Sequence, residues 1–174
     1  MHALTPIERA IATYCAEWAK AKADEEGYSK VNPETLGNAT SPDFQFRYID
    51  ITSVDKGAID WAAVPRIRFA DSPSRARRVV RLGDTMICTV RPLLESHTYA
   101  GWIDDESTVC STGFAVLRPD GVVPNYLKHL PFAEQVRQQL VAWQCGTNYP
   151  AVKLLHDLLL WLSGQAADDY VTCR

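Results

Sequence analysis

The sequence predicts an α+β fold, a mixed β-sheet core of short strands with flanking N- and C-terminal helices. Three observations lead there: helix start and stop signals near the N-terminus, a central run of β-branched and aromatic segments punctuated by turn residues, and helical spacing that returns after Asp120 and Gly121. A doubly wound parallel sheet would instead alternate strands with helices along the whole chain.

Thr5, Pro6 and Glu8 stand as N-cap, first-turn proline and capping-box glutamate, and Gly27 supplies a stop, so a helix is expected from Pro6 to Glu26. Leu4, Ile7, Ile11, Tyr14, Trp18 and Ala21 step by three and four along it, a seam that packs against its own domain or against another helix. Tyr28 to Asp43 is rich in Asn, Pro, Thr and Ser without periodicity and reads as a connecting loop. FRYIDIT (46–52) then alternates as a strand, and DKG (55–57) marks a turn. RRVVRLGD brings Val79, Val80 and Leu82 to a Gly83-Asp84 turn, while TMICTV has the composition of a buried strand. TYAGWI and STVCSTGFAVLRP follow as strands, the latter ending at Pro119-Asp120-Gly121.

After that turn a helix is expected from Pro124 to Leu130, where Pro131 interrupts it. A second carries Ala133, Val136, Leu140 and Trp143 on one face and ends at Gly146. GTNYP leads to a last helix, Ala151 to Ser163, before a polar tail. The resulting divisions are 1–43, an N-terminal helix and connecting loop; 44–152, the strand-rich core domain; and 153–174, a C-terminal helix and tail.

Charge is distributed unevenly. Between Val64 and Arg91 stand Arg66, Arg68, Arg75, Arg77, Arg78, Arg81 and Arg91 against Asp71 and Asp84, a local net of +5 that leaves 11 basic and 19 acidic residues elsewhere. Fields act over roughly 10 Å, so a chain of net charge −3 that gathers its arginines has built a local site for an anionic partner, nucleic acid first.

Several chemistries are poorly served. Neither GxGxxG nor GxxxxGK[ST] occurs, which argues against nucleotide hydrolysis, and Asn32-Pro33-Glu34 does not match the Asn/Asp-Pro-Pro-aromatic turn of amino-group methyl transfer. Asp104, Asp105 and Glu106 are contiguous, the pattern of a solvated turn more than a metal cluster. Cys15, Cys88, Cys110, Cys145 and Cys173 lack CxxC spacing and read as reduced thiols; Cys145 with His156 is not a tetrahedral zinc set, and no local context pairs a cysteine with His97 or His129. No cofactor, metal or catalytic residue is therefore expected. The longest apolar run, Leu158 to Leu162, is far too short to span a bilayer, and no secretory leader pattern opens the chain, so a cytoplasmic location is expected.

YIDITSVDKGAIDW, SPSRARRVVRLGDTMICTVRP, STGFAVLRPDG and GTNYPAV, in that order from Tyr48 to Val152, resemble the target recognition domain of the specificity subunit of type I restriction-modification systems. The resemblance implies a mixed α/β unit lying against double-stranded DNA and reading one half of a bipartite target. It implies a non-catalytic subunit that delivers a partner methyltransferase and, through it, a restriction subunit. Arg75, Arg77 and Arg78 then suit phosphate clamping or guanine reading, with Arg66, Arg68 and Arg81 completing the basic stretch. For Arg91 an interior ion pair and a DNA contact stand level. His97 lies beside the basic stretch in sequence, and Asn148 and Tyr149 are groove candidates, Asn being able to pair bidentately with adenine. Gly113, Phe114 and Pro150 are expected to shape the domain. After Val152, LLHDLLLWLSG replaces the family's proline-rich linker and long helix; Leu155, Leu158 and Leu162 and the N-terminal seam either pack on each other within one chain or form a homodimer interface. The competing function is an interaction module of the same fold whose arginines hold an acidic protein; a small hydrolase using Cys110, His97 or the 104–106 acids is a third.

Overall fold

The computed structural model describes residues 29–91, 94–103, 107–120, 124–142, 144–145 and 151–152. The expected helix from Pro6 to Glu26, the residues after Val152, and Asn148 and Tyr149 lie outside them. In chain order the strands are β1 (Ser29–Val31), β2 (Gln45–Ile49), β3 (Val54–Asp55), β4 (Ala58–Ile59), β5 (Arg66–Arg68), β6 (Ala76–Val80), β7 (Thr85–Cys88), β8 (Thr98–Tyr99), β9 (Thr108–Ser111) and β10 (Phe114–Pro119). Helix α1 (Pro124–His129), a 3-10 turn (Leu130–Phe132) and helix α2 (Glu134–Ala142) follow, then the short pair β11 (Gln144–Cys145) and β12 (Ala151–Val152).

Two four-stranded sheets form the frame. One has the order β5-β2-β9-β6, with β2 and β9 parallel and the outer pairs antiparallel; the other, β1-β10-β7-β8, is antiparallel throughout. Between them lies an apolar cluster in which Ile49, Val80 and Cys110 of the mixed sheet meet Met86, Cys88, Phe114 and Val116 of the antiparallel one. The opposite face of the mixed sheet carries Phe46, Tyr48, Ala76 and Val109 beneath Leu36, Phe44, Ile67 and Phe69. Leu127, Leu130, Ala133, Val136 and Leu140 are all buried, so the helical spacing read after Pro124 does mark an inward face.

Four local expectations are revised. Ser29–Val31, read as loop, is an edge strand on β10; the chain leaves it at Asn32, whose N–H donates to the Val116 carbonyl (2.7 Å) while its Oδ1 accepts the Val116 N–H (2.9 Å). FRYIDIT stops as a strand at Ile49 because the Asp50 carboxylate accepts the Ile51 N–H (2.8 Å) and caps a 3-10 turn over Ile51–Ser53. STVCSTGFAVLRP is two strands in different sheets, parted at Thr112-Gly113, where a side chain on Gly113 would run into Ile51. Ala151 and Val152 pair with Cys145 and Gln144, so they close a hairpin where a helix start was expected.

The turns at DKG and LGD are as read. Asp55 pairs with Ala58 across Lys56 and Gly57, both at positive φ, the two-residue hairpin geometry that matches strand twist. At the join between the two sheets the Asp84 N–H donates to the Arg81 carbonyl (3.0 Å) around Gly83 at φ 90°. An L side chain is strained there. Gly83→Ala should cost about 1–2 kcal/mol in urea unfolding, whereas Gly37→Ala, with open space around it, should stay within about 0.5 kcal/mol.

Candidate nucleic-acid interface

A charge network fixes the strands that carry the arginines. Asp84 is fully buried in the turn from β6 to β7, and Arg118 on β10 meets its carboxylate with a two-pronged fork, Nε to Oδ1 and Nη2 to Oδ2, both 2.9 Å. The third Arg118 nitrogen donates to Glu34, and Arg81 donates to Glu34 Oε2 through Nη2 (2.8 Å). The second Asp84 oxygen also accepts the Arg81 N–H (2.8 Å), so two carboxylates and two guanidinium groups satisfy one another. Hydrogen bonds from Arg81 and then Arg118 hold the Glu34 carboxyl down at about 2, well below its usual range. Glu34 and Arg118 were not singled out from sequence; a lone Asp and a lone Arg in otherwise apolar strand ends were the available signal, since buried charges need partners.

The seven arginines divide between the two outer strands of the mixed sheet and the joins around it. Arg66 and Arg68 lie exposed on edge strand β5, and by two-residue alternation both point away from the side taken by Ile67. Arg68 bonds Asp71 (2.8 Å) and stands 3.8 Å from Asp43. The segment from Phe69 to Arg75 crosses to the other edge. There Arg75 is exposed just before β6, its carbonyl accepting the Thr112 N–H (2.8 Å); Arg77 lies over the Phe69 ring (4.8 Å) and donates to the Ala76 carbonyl. Arg78 is half-buried opposite Cys110, and that burial disfavours its charged form. Arg81 belongs to the charge network, and Arg91 is exposed in a left-handed backbone conformation (φ 48°).

His97 is a correction. It is 1% exposed, its Nδ1 accepts the Cys88 N–H (3.0 Å) and its ring packs edge-on against Phe132, so it is a core residue and not a surface contact. Burial pushes its pKa down to about 4. Cys88 and Cys110 are buried free thiols; burial lifts Cys88 to about 11 and Cys110 further, so neither is a thiolate nucleophile near neutrality. Among the described residues no group of three or more His, Cys, Asp or Glu could hold a metal ion, and no helix is long and apolar enough to cross a membrane.

No protein-family model and no curated protein matches the chain. Solved structures do. The HsdS subunit from Thermoanaerobacter tengcongensis superposes with a TM-score of 0.63 at 33% identity, over 77% of this chain and 34% of that one. A chain of a type I restriction-modification system, solved for its complex assembly and conformational transition, gives 0.62 at 34% identity, over 72% and 33%. The chain carries a target recognition domain of the type I specificity-subunit family. It spans about a third of the length of those two chains. The described part of this target recognition domain is strand-rich, with few helices.

Two acid responses follow. Glu34 binds its proton at about 2 when folded against 4.5 ordinarily, so its contribution is complete above pH 4.5 and drains as pH falls toward 2. Glu34→Gln should lower stability at neutral pH by about 1 kcal/mol, with the gap to wild type closing on acidification. Neutral buried His97 titrates at about 4 when folded against 6.5 ordinarily, so wild-type stability should fall from pH 6.5 to 4. The slope approaches about 1.4 kcal/mol per pH unit; denaturant unfolding of His97→Asn, which keeps an acceptor for Cys88, should show that component gone.

Proposed function

We propose that this chain is a sequence-specific DNA-binding module of a type I restriction-modification-like system, reading one half-site and delivering a partner methyltransferase and restriction subunit without catalysing a reaction itself. The observation that carries the reading is the agreement with HsdS structures at 33–34% identity across most of the described domain.

The arginine placement supports it. Neighbouring strands lie about 4.8 Å apart, so the outer strands β5 and β6 are separated by roughly 14 Å, close to the roughly 12 Å width of a major groove. Arg66 and Arg68 on one edge and Arg75 and Arg77 on the other put guanidinium groups at both edges of the sheet, and phosphate contacts outnumber base contacts in protein–DNA complexes. The Arg68–Asp71 pair is exposed and worth about 0–1 kcal/mol, so it yields readily to a phosphate. Arg78 and Arg91 are secondary candidates, Asn148 and Tyr149 remain groove candidates on sequence grounds, and Arg81 serves the frame. Pairing of two such chains would supply two half-sites.

In salt titrations against duplex DNA, affinity should fall log-linearly, and Arg75→Ala or Arg77→Ala should each reduce the slope by about one. If wild-type chain fails to bind duplex of any sequence at low salt, the DNA reading is lost and the interaction-module alternative replaces it.

A further inference from the structure

We propose that Trp102, propped on Trp61 beside Arg47 and Arg66, is a second DNA contact of this domain, one that holds a nucleotide by its base or sugar face. The proposal rests on the DNA reading above and extends it to residues outside the arginine loop. Trp61 is half-buried, packed against the apolar cluster between the sheets. Trp102 stands edge-on to it, ring centroids 5.6 Å apart at 85°, and is 60% exposed. The chain reaches that position through a tight turn after β8 in which the Gly101 N–H donates to the Tyr99 carbonyl (2.9 Å). A large ring is thus braced from beneath and presented to solvent.

The surroundings indicate what meets it. Arg47 lies over the Trp61 ring at 5.9 Å and is the direct cross-strand partner of Arg66, so both arginines project to the side of the sheet on which Trp61 packs. Ala62, Ala63 and Pro65, close after Trp61 in sequence, are exposed. Asp60, the acidic residue next to Trp61, accepts the Ala62 N–H (3.1 Å) as a turn cap. An exposed aromatic ring on the side of the sheet that carries two guanidinium groups suits a nucleotide, the ring packing on a sugar, or on a base splayed from the duplex, while arginine meets the phosphate. A protein surface would also cover a tryptophan. Among the described residues charge and continuity favour DNA, since Arg66 already belongs to the proposed DNA face; Asp104, Asp105 and Glu106 lie outside them.

The test uses the full chain and a fluorescein-labelled duplex read by anisotropy. Trp102→Ala should weaken binding roughly tenfold with the salt slope unchanged, because no charge is removed, and Trp102→Phe should retain most of the affinity. Arg47→Ala should lower the slope by about one. The ring is exposed, so Trp102→Ala should keep the wild-type unfolding midpoint. If Trp102→Ala binds as tightly as wild type while Arg75→Ala still weakens binding, the inference is overturned, the DNA reading stands, and the ring belongs to a protein contact. Absence of binding by wild type overturns both.

Discussion

A carboxylate with no access to water governs how this domain is put together. Asp84 sits in the turn that carries the chain from the mixed sheet to the antiparallel one, and burying it alone would cost several kcal/mol. Arg118 on β10 answers it with two bonds, and Glu34 and Arg81 complete the charge balance. Three stretches far apart in sequence are thereby drawn to one point: the segment after β1, the join of β6 to β7, and β10. Replacing such a network by apolar side chains need not weaken a fold, so its main effect is on arrangement. Wrong registers of β10 or of the join would leave a buried charge unanswered, whereas apolar neighbours would tolerate them.

How much of this was legible in the sequence depends on whether the signal was local. The DKG and LGD turns, the inward face of the helices around Leu127 to Leu140, and strands at FRYI, RRVV, TMIC and FAVLRP come from short-range rules of alternation and turn chemistry, and they hold. What sequence missed depends on partners elsewhere. Ser29–Val31 has no strand composition and becomes a strand because β10 offers a free edge. His97 reads as a polar loop residue beside arginines, yet the chain folds it inward to take the Cys88 N–H. STVCSTGFAVLRP reads as one strand-like stretch and still changes sheets, because the Thr112-Gly113 turn decides direction.

The candidate site was legible as a composition and not as a geometry. Seven arginines crowded into one stretch signalled an anionic partner, but chain position could not show that β5 and β6 are opposite edges of one sheet, nor that Arg81 is committed to Glu34. Arg47 lies outside the dense stretch and enters only through its cross-strand pairing with Arg66. Trp61 and Trp102 are separated by four strands and their connections, and only the fold makes them neighbours.

The separation of core positions from exposed arginine positions has a practical consequence. Side chains that close the core come from β2, β6, β7, β9 and β10, while the arginines proposed for DNA stand on β5, on other positions of β6 and on the loop that links the two. The two sets scarcely overlap. Arg66, Arg68 and Arg75, the exposed members of the proposed set, can therefore be exchanged as surface substitutions without repacking the interior.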